Sequence, residues 1–155
     1  MQMISRKAKY GIRALLALSR RNTTTPVLIA ALAKEEKISK KFLELILLEL
    51  KHKGILKSKK GRGGGYLLNR SPEEISLGEI IRVLEGSLAL SPCASQAAHR
   101  KCDECGDEAT CGIRSVLKDV RDATAMILDQ ESLADVLRRV EALRQAKSGV
   151  LAYSI

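Results

Sequence analysis

The chain has no tryptophan, one phenylalanine and three tyrosines, so aromatic residues make up only 3% of its 155 positions. A chain of this length can bury a genuine core, but with so few rings that core has to be built from Leu, Ile, Val and Ala, which favours helices. No apolar run approaches the roughly 18 residues that a membrane span needs, and no repeat or low-complexity linker is present. The opening MQMISRKAKYGIRALLALSRR lacks acids and is partly apolar, as a targeting peptide would be, yet Arg13 breaks the apolar run and no small-residue cleavage site follows. Ala8, Ile12, Leu15, Leu16 and Ser19 fall instead on one face of a first helix. Together these absences point to a cytoplasmic protein with no membrane partner, in a compartment where thiols stay reduced.

Charge is divided unevenly. Residues 1–70 carry 17 Lys and Arg against 4 acids, a balance of +13, whereas residues 71–155 carry 10 against 14, a balance of −4. That asymmetry suggests a polyanion facing the first half, with nucleic acid as the leading partner.

Hydrophobic periodicity divides the chain further. The first helix is expected to end near Arg21 and Asn22, and NTTTP is a turn before a short second helix in VLIAALAKEEK. Ser39 stands where a cap belongs before KKFLELILLELKHK, whose Phe42, Leu43, Ile46, Leu47 and Leu50 share a face, and Gly54 follows as a stop. ILKSKK, GRGGG and YLLNR then read as a hairpin with a basic, glycine-rich tip. Ser76 is positioned to cap a fourth helix, LGEIIRVLEG. Beyond the cysteines, Ile113, Val116, Val120, Ala123 and Ile127 recur at steps of three and four, a narrow coiled-coil-like seam. Ser132 precedes a last amphipathic helix.

Three helices followed by a basic-tipped hairpin is the order of a winged helix-turn-helix, in which the third helix enters the major groove and the wing follows the backbone of double-stranded DNA. Lys40, Lys41 and Glu44 lie early on that helix, off its apolar face. The lysines can bond phosphate or guanine, and the glutamate can accept from a cytosine amino group. Lys57, Lys59, Lys60 and Arg62 extend the basic surface, and Gly63 and Gly64 would let the wing backbone approach a phosphate. Solvated charges on a helix N-terminus are the bland alternative for the lysines taken alone. GRGGGY lacks the GK[ST] ending of a nucleotide-binding loop.

All four cysteines, Cys93, Cys102, Cys105 and Cys111, lie within nineteen residues in the pattern C-x8-C-x2-C-x5-C. A dithiol enzyme is disfavoured, since Asp103 and Glu104 separate the C-x2-C pair and Asp107 and Glu108 follow, all opposing a reactive thiolate. Structural zinc usually takes two C-x2-C pairs and only one is present. An iron-sulfur cluster accepts thiolates at irregular loop spacing and would make the protein a sensor. A thiol-disulfide switch remains open, as do unligated thiols, although clustering argues against the latter.

SRKAKYGIRALLAL, ISKKFLELILLELKHKGILKSKKGRGGGYLL and ISLGEIIRVLEG resemble the IscR-like winged-helix transcriptional regulators, a family that includes NsrR and CymR. The resemblance implies a non-enzymatic, mainly α fold with a small β-hairpin wing: residues 1–86 as a winged helix-turn-helix DNA-binding domain, 87–111 as a cysteine-rich cluster-binding loop, 112–147 as a dimerisation helix and C-terminal helix, and 148–155 as a flexible tail. It implies a homodimer on a DNA operator, with the long helix from Gly112 against its partner. It also implies an iron-sulfur cluster, 2Fe–2S in preference to 4Fe–4S, on Cys93, Cys105 and Cys111. Cys102 is the extra thiol and first choice as fourth ligand, with His99 behind it, since Arg114 stands where IscR has a histidine. Lys60 replaces an arginine of the IscR wing, and Glu44 matches the glutamate that discriminates between sequences. Relatives without a cluster respond through a protein partner, so zinc, a thiol switch or a regulatory protein are the alternatives to a cluster.

Overall fold

The computed structural model describes residues 4–21 and 24–152. The expected turn at Asn22 and Thr23 and the last three residues of the tail lie outside them.

Helix α1 (Arg6–Ser19) begins where the Ser5 hydroxyl accepts from the Ala8 N–H at 3.1 Å. Its inward face is small, with Ala8, Gly11, Ala14 and Ala17 beside Leu15 and Leu18. A Cβ on Gly11 would stand 2.4 Å from the Leu84 side chain, so glycine lets a later helix lie close. Helix α2 (Ile29–Glu36) ends at Lys37, which takes a left-handed conformation, φ 54°, and turns the chain into α3 (Lys40–His52). Leu43, Ile46, Leu47 and Leu50 on α3 are fully buried. Burial of each such side chain contributes about 1.5–3 kcal/mol relative to exposure, which fixes this face of α3 inward. Ser39 occupies the N-cap position but makes no side-chain capping bond.

Strands β1 (Leu56–Lys59) and β2 (Gly65–Leu68) pair antiparallel, with Leu56 opposite Leu68 and Lys59 opposite Gly65. Hydrophobic patterning gives no hint of a further bridge, in which Val27 exchanges both backbone bonds with Tyr66 at 2.8 and 2.9 Å. It ties the wing to the segment before α2. Gly65 makes the approach possible: its φ is +144°, and a Cβ there would lie 2.2 Å from the Val27 carbonyl oxygen.

Helix α4 (Leu77–Glu85) is capped by the Ser76 hydroxyl, which accepts from Glu79 N–H at 3.1 Å. Helices α5 (Gly112–Gln130) and α6 (Leu133–Ala152) complete the chain. Their junction docks on the start of α4: Leu77 N–H donates to Glu131 O at 2.8 Å, Leu133 N–H donates to Ile75 O at 2.9 Å, and both Ile75 and Leu133 are fully buried. Ser132 and Asp135 cap each other, and donation from the Ser132 hydroxyl and N–H, with Arg138 nearby, holds the Asp135 carboxyl down at about 2. Helix α6 continues beyond the expected end at residue 147. A helix-interior glycine costs only about 1 kcal/mol relative to alanine, so Gly149 does not stop it, and the Ser148 hydroxyl bonds back to Arg144 O at 3.0 Å. Among the described residues no helix is long and apolar enough to cross a membrane.

The wing gives a paired test. Gly65→Ala adds a clash with Val27 to a backbone conformation nearly reserved for glycine, and should lower unfolding free energy by about 3 kcal/mol or more in urea titrations. Gly61→Ala, where φ is +87° but the Cβ meets open space, should cost only about 1–2 kcal/mol. Equal losses would contradict the packing role assigned to Gly65.

Candidate functional site

Two groups of residues come forward, one on α3 and the wing, the other on the loop between α4 and α5. On α3, Lys40, Lys41 and Glu44 are exposed, and Lys40 lies 4.0 Å from Glu44. A surface pair of this kind is worth a few tenths of a kcal/mol, so it does not immobilise either side chain. Lys57, Lys59, Lys60 and Arg62 are exposed on the wing. All four acids of the first 70 residues are paired: Glu35 with Arg21, Glu36 with Arg13, Glu49 with Lys7 and Glu44 with Lys40. Three of those pairs involve α1 or the segment just after it, and among the described residues no salt bridge engages Lys57, Lys59, Lys60 or Arg62. Gly63 is exposed at the tip, whereas Gly64 is buried, its N–H donates to Gly61 O at 3.0 Å, and a Cβ there would lie 2.3 Å from Lys59 O. Glycine at 64 thus serves the wing's own turn, a reason the sequence reading did not give.

The cysteine loop is gathered at the N-terminus of α5. Cys93 sits in a 3-10 turn, Pro92–Ala94, with the Ser91 hydroxyl 3.2 Å from its sulfur. Cys105 N–H donates to Cys102 O at 3.1 Å, closing the C-x2-C turn, and Cys102 is exposed. Cys111 is the N-cap of α5, and its sulfur accepts from Arg114 N–H at 3.5 Å. That backbone donor, with the Cys105 thiol, the Ile113 N–H and the Arg114 charge, lowers the Cys111 pKa. Cys105 is pushed up, because it pairs with Cys111 and lies within electrostatic reach of Cys111, Cys102 and Cys93. The acids around the C-x2-C pair, which oppose a thiolate in the sequence, are therefore offset at Cys111 by the helix N-terminus. The signal for this in the sequence is a cysteine placed directly before the helix that starts at Gly112.

The four cysteines share one loop at the start of α5, with Cys93, Cys102 and Cys111 within electrostatic reach of Cys105, and by its chemistry a set of four thiols suits a thiolate-ligated group. Among the described residues no three His, Cys, Asp or Glu side chains stand in a metal-holding arrangement. His99 is directed elsewhere, its Nε2 lying 3.1 Å from Glu108, and Glu108 lies 3.9 Å from the Arg114 guanidinium.

Two arginines on the inward face of α5, seven residues apart, grip the turn that carries Cys93. Arg114 Nε donates to Cys93 O at 2.9 Å, and Arg121 donates to Ala94 O and, at 2.7 Å, to Asp122. Arg121 is the one buried residue among the described positions of α5. In the sequence Arg114 shows only as a departure from the IscR histidine, and nothing marks Arg121. At the other end of the helix, Arg82 of α4 makes a two-point bond to Asp129 at 2.6 and 2.8 Å, which raises the Arg82 pKa and lowers that of Asp129.

Comparison with known proteins places this geometry in context. Residues 4–139 match the Rrf2 family, described as an iron-dependent transcriptional regulator. An Rrf2-like HTH-type transcriptional regulator of Rhodobacter capsulatus is 39% identical over 138 residues, covering 87% of this chain and 92% of that protein. Among solved structures, CymR, the global cysteine regulator of B. subtilis, superposes with a TM-score of 0.70 at 30% identity, covering 88% of this chain and 96% of that one. IscR of T. potens superposes with a TM-score of 0.71 at 29% identity, covering 92% and 90%.

Loss of a buried charged hydrogen-bond donor costs about 1–3 kcal/mol. Arg121→Met, which keeps the bulk, should lower stability by that amount and speed alkylation of Cys93 as its turn loosens. Unchanged stability and unchanged Cys93 labelling would show that the clamp does not hold the loop.

Proposed function

The chain belongs to the Rrf2 family of transcriptional regulators, and on that premise we propose that it is a cytoplasmic homodimer whose binding to a DNA operator is set by an iron-sulfur group on the loop 87–111. It is a regulator, not an enzyme. The observation that carries the proposal is the way α5 is used: its inward arginines hold the cysteine loop, while Ile113, Val116, Val120 and Ile127 stand 75%, 61%, 39% and 59% exposed. A continuous apolar stripe of this kind favours burial against a second copy.

Lys40, Lys41 and Glu44 on α3 face the major groove in this reading, and Lys57, Lys59, Lys60, Arg62 and the Gly63 backbone follow the phosphates. A dimer then reads two half-sites whose centres lie roughly 10 base pairs apart, or a multiple of that. Cys93, Cys105 and Cys111, with Cys102 as fourth sulfur, would hold the group. When bound, it supplies an iron-dependent, redox-sensitive charge and a cross-link between distant points of the loop. The chain's own residues carry the consequence inward. Arg114 and Arg121 fix the Cys93 turn to α5, and Asp129 fixes α5 to Arg82 of α4. Leu84 of α4 packs at Gly11 of α1, beside Ile46 of α3. Loop order and the setting of α3 are thereby linked, and the family's description as iron-dependent supports iron as the signal.

A second reading, a disulfide switch, is favoured by the proximity of Cys105 and Cys111, which move each other's pKa in opposite directions, although the Cys105 thiol itself donates to Asp107 O at 3.8 Å. Structural zinc and control by a protein partner keep the same DNA-binding fold.

Protein purified without oxygen should show visible iron-sulfur absorption with matched iron and sulfide, lost in Cys93→Ala and Cys105→Ala. Colourless protein holding zinc, or metal-free protein that resists reconstitution, would overturn the cluster reading. For DNA contact, Lys57→Ala or Lys60→Ala should weaken binding to matched and unmatched duplexes alike. The slope of log affinity against log salt should flatten by about 1 per lost phosphate contact; an unchanged slope would remove these lysines from the interface.

A further inference from the structure

Helix α3 turns six side chains outward: Lys40, Lys41, Glu44, Leu45, Leu48 and His52. Leu45 and Leu48 lie at the centre of that face, 62% and 42% exposed, while the core is satisfied by Leu43, Ile46, Leu47 and Leu50 on the opposite side. Folding alone gives no reason for leucine at either position. The surroundings limit what could cover them. Lys40, Lys41 and Lys53 are exposed on the same helix and at its end, and the wing adds Lys57, Lys59, Lys60 and Arg62. An apolar protein surface brought against Leu45 and Leu48 would have to neutralise that cationic rim as well.

The DNA major groove presents both properties together, with phosphates along its edges and the C5-methyl group of thymine on its floor. Spacing also agrees. Residues three apart on a helix are separated by about 4.5 Å along its axis, close to the roughly 3.4 Å step between base pairs. We propose that Leu45, with Leu48 one turn further on, selects thymine at adjacent positions of each half-site by packing against its methyl group. Glu44 and the lysines then read or hold polar groups around that apolar centre. This specificity role rests on the reading of α3 as the DNA-contacting helix.

The test uses the full-length chain purified without oxygen and a duplex enriched by that chain from a random-sequence library. Each thymine of the enriched half-site is replaced in turn by uracil, which removes only the methyl group. Burial of one methyl-sized group predicts about a three- to fivefold loss of affinity at the thymine under Leu45. Leu45→Ala should bind the thymine duplex more weakly and lose the distinction between thymine and uracil at that position; its exposed site makes misfolding no obstacle. Uracil without effect at every position, or an equal effect in Leu45→Ala, would overturn the proposal. So would an enriched half-site without thymine, or a change of oligomeric state in Leu45→Ala, which would assign the leucines to a protein interface. Failure to enrich any sequence would overturn the DNA-binding reading itself, a different result from enrichment without methyl sensitivity.

Discussion

A guanidinium leaves water only where its donors find acceptors, and Arg121 meets that demand with the Ala94 carbonyl and the Asp122 carboxylate. The rest of the C-terminal half follows from this contact. Arg121 is the one buried residue of α5, while Leu117, Ala125 and Leu128 on the same side are only half-buried, so the helix is held to the body through the loop it grips and through its Arg82 and Glu131 contacts as well as through apolar packing. Ile113, Val116, Val120 and Ile127 are left outside. A helix arranged in this way ties the order of the cysteine loop to the placement of a surface suited to a second copy.

The winged-helix half obeys a different constraint. Its aliphatic core is tight because small residues admit close neighbours: Gly11 admits Leu84, Gly65 admits Val27, and Gly78 leaves room for Asp129. Close packing makes such a unit responsive as a whole, since a shift of α4 cannot be absorbed by empty space. The basic wing adds little to that core and owes its position to three buried leucines, Leu56, Leu67 and Leu68, and to the Val27 bridge.

Much of this was legible in the sequence, for physical reasons that can be traced. Apolar spacing at three and four located the helices, the change to a short alternating pattern located the wing, and Ser76 announced the start of α4. What escaped were contacts between segments distant in sequence. Val27 reads as the start of a helical pattern, and only the fold brings it beside Tyr66. Gly64 reads as freedom to approach a phosphate, whereas its close neighbour is Lys59, and nothing in the sequence marks Gly65 as the point where Val27 crosses. Ser39 looked like a cap and makes no capping bond. Arg114 and Arg121 look like solvated charges, because a carbonyl acceptor leaves no mark in the sequence. The four thiols were visible as a cluster, and so was the helix start at Gly112, but the hydrogen bond from Arg114 N–H that shifts Cys111 shows only in the fold.

The central claim is that the state of the cysteine loop sets affinity for DNA. Equilibrium binding of the full-length protein to one selected operator duplex, followed by fluorescence anisotropy at fixed salt and without oxygen, tests it directly when the iron- and sulfide-loaded and stripped forms are compared. The affinities of the two forms should differ by about tenfold or more, within the usual range of coupling between two sites. Equal affinities of the two forms would contradict it.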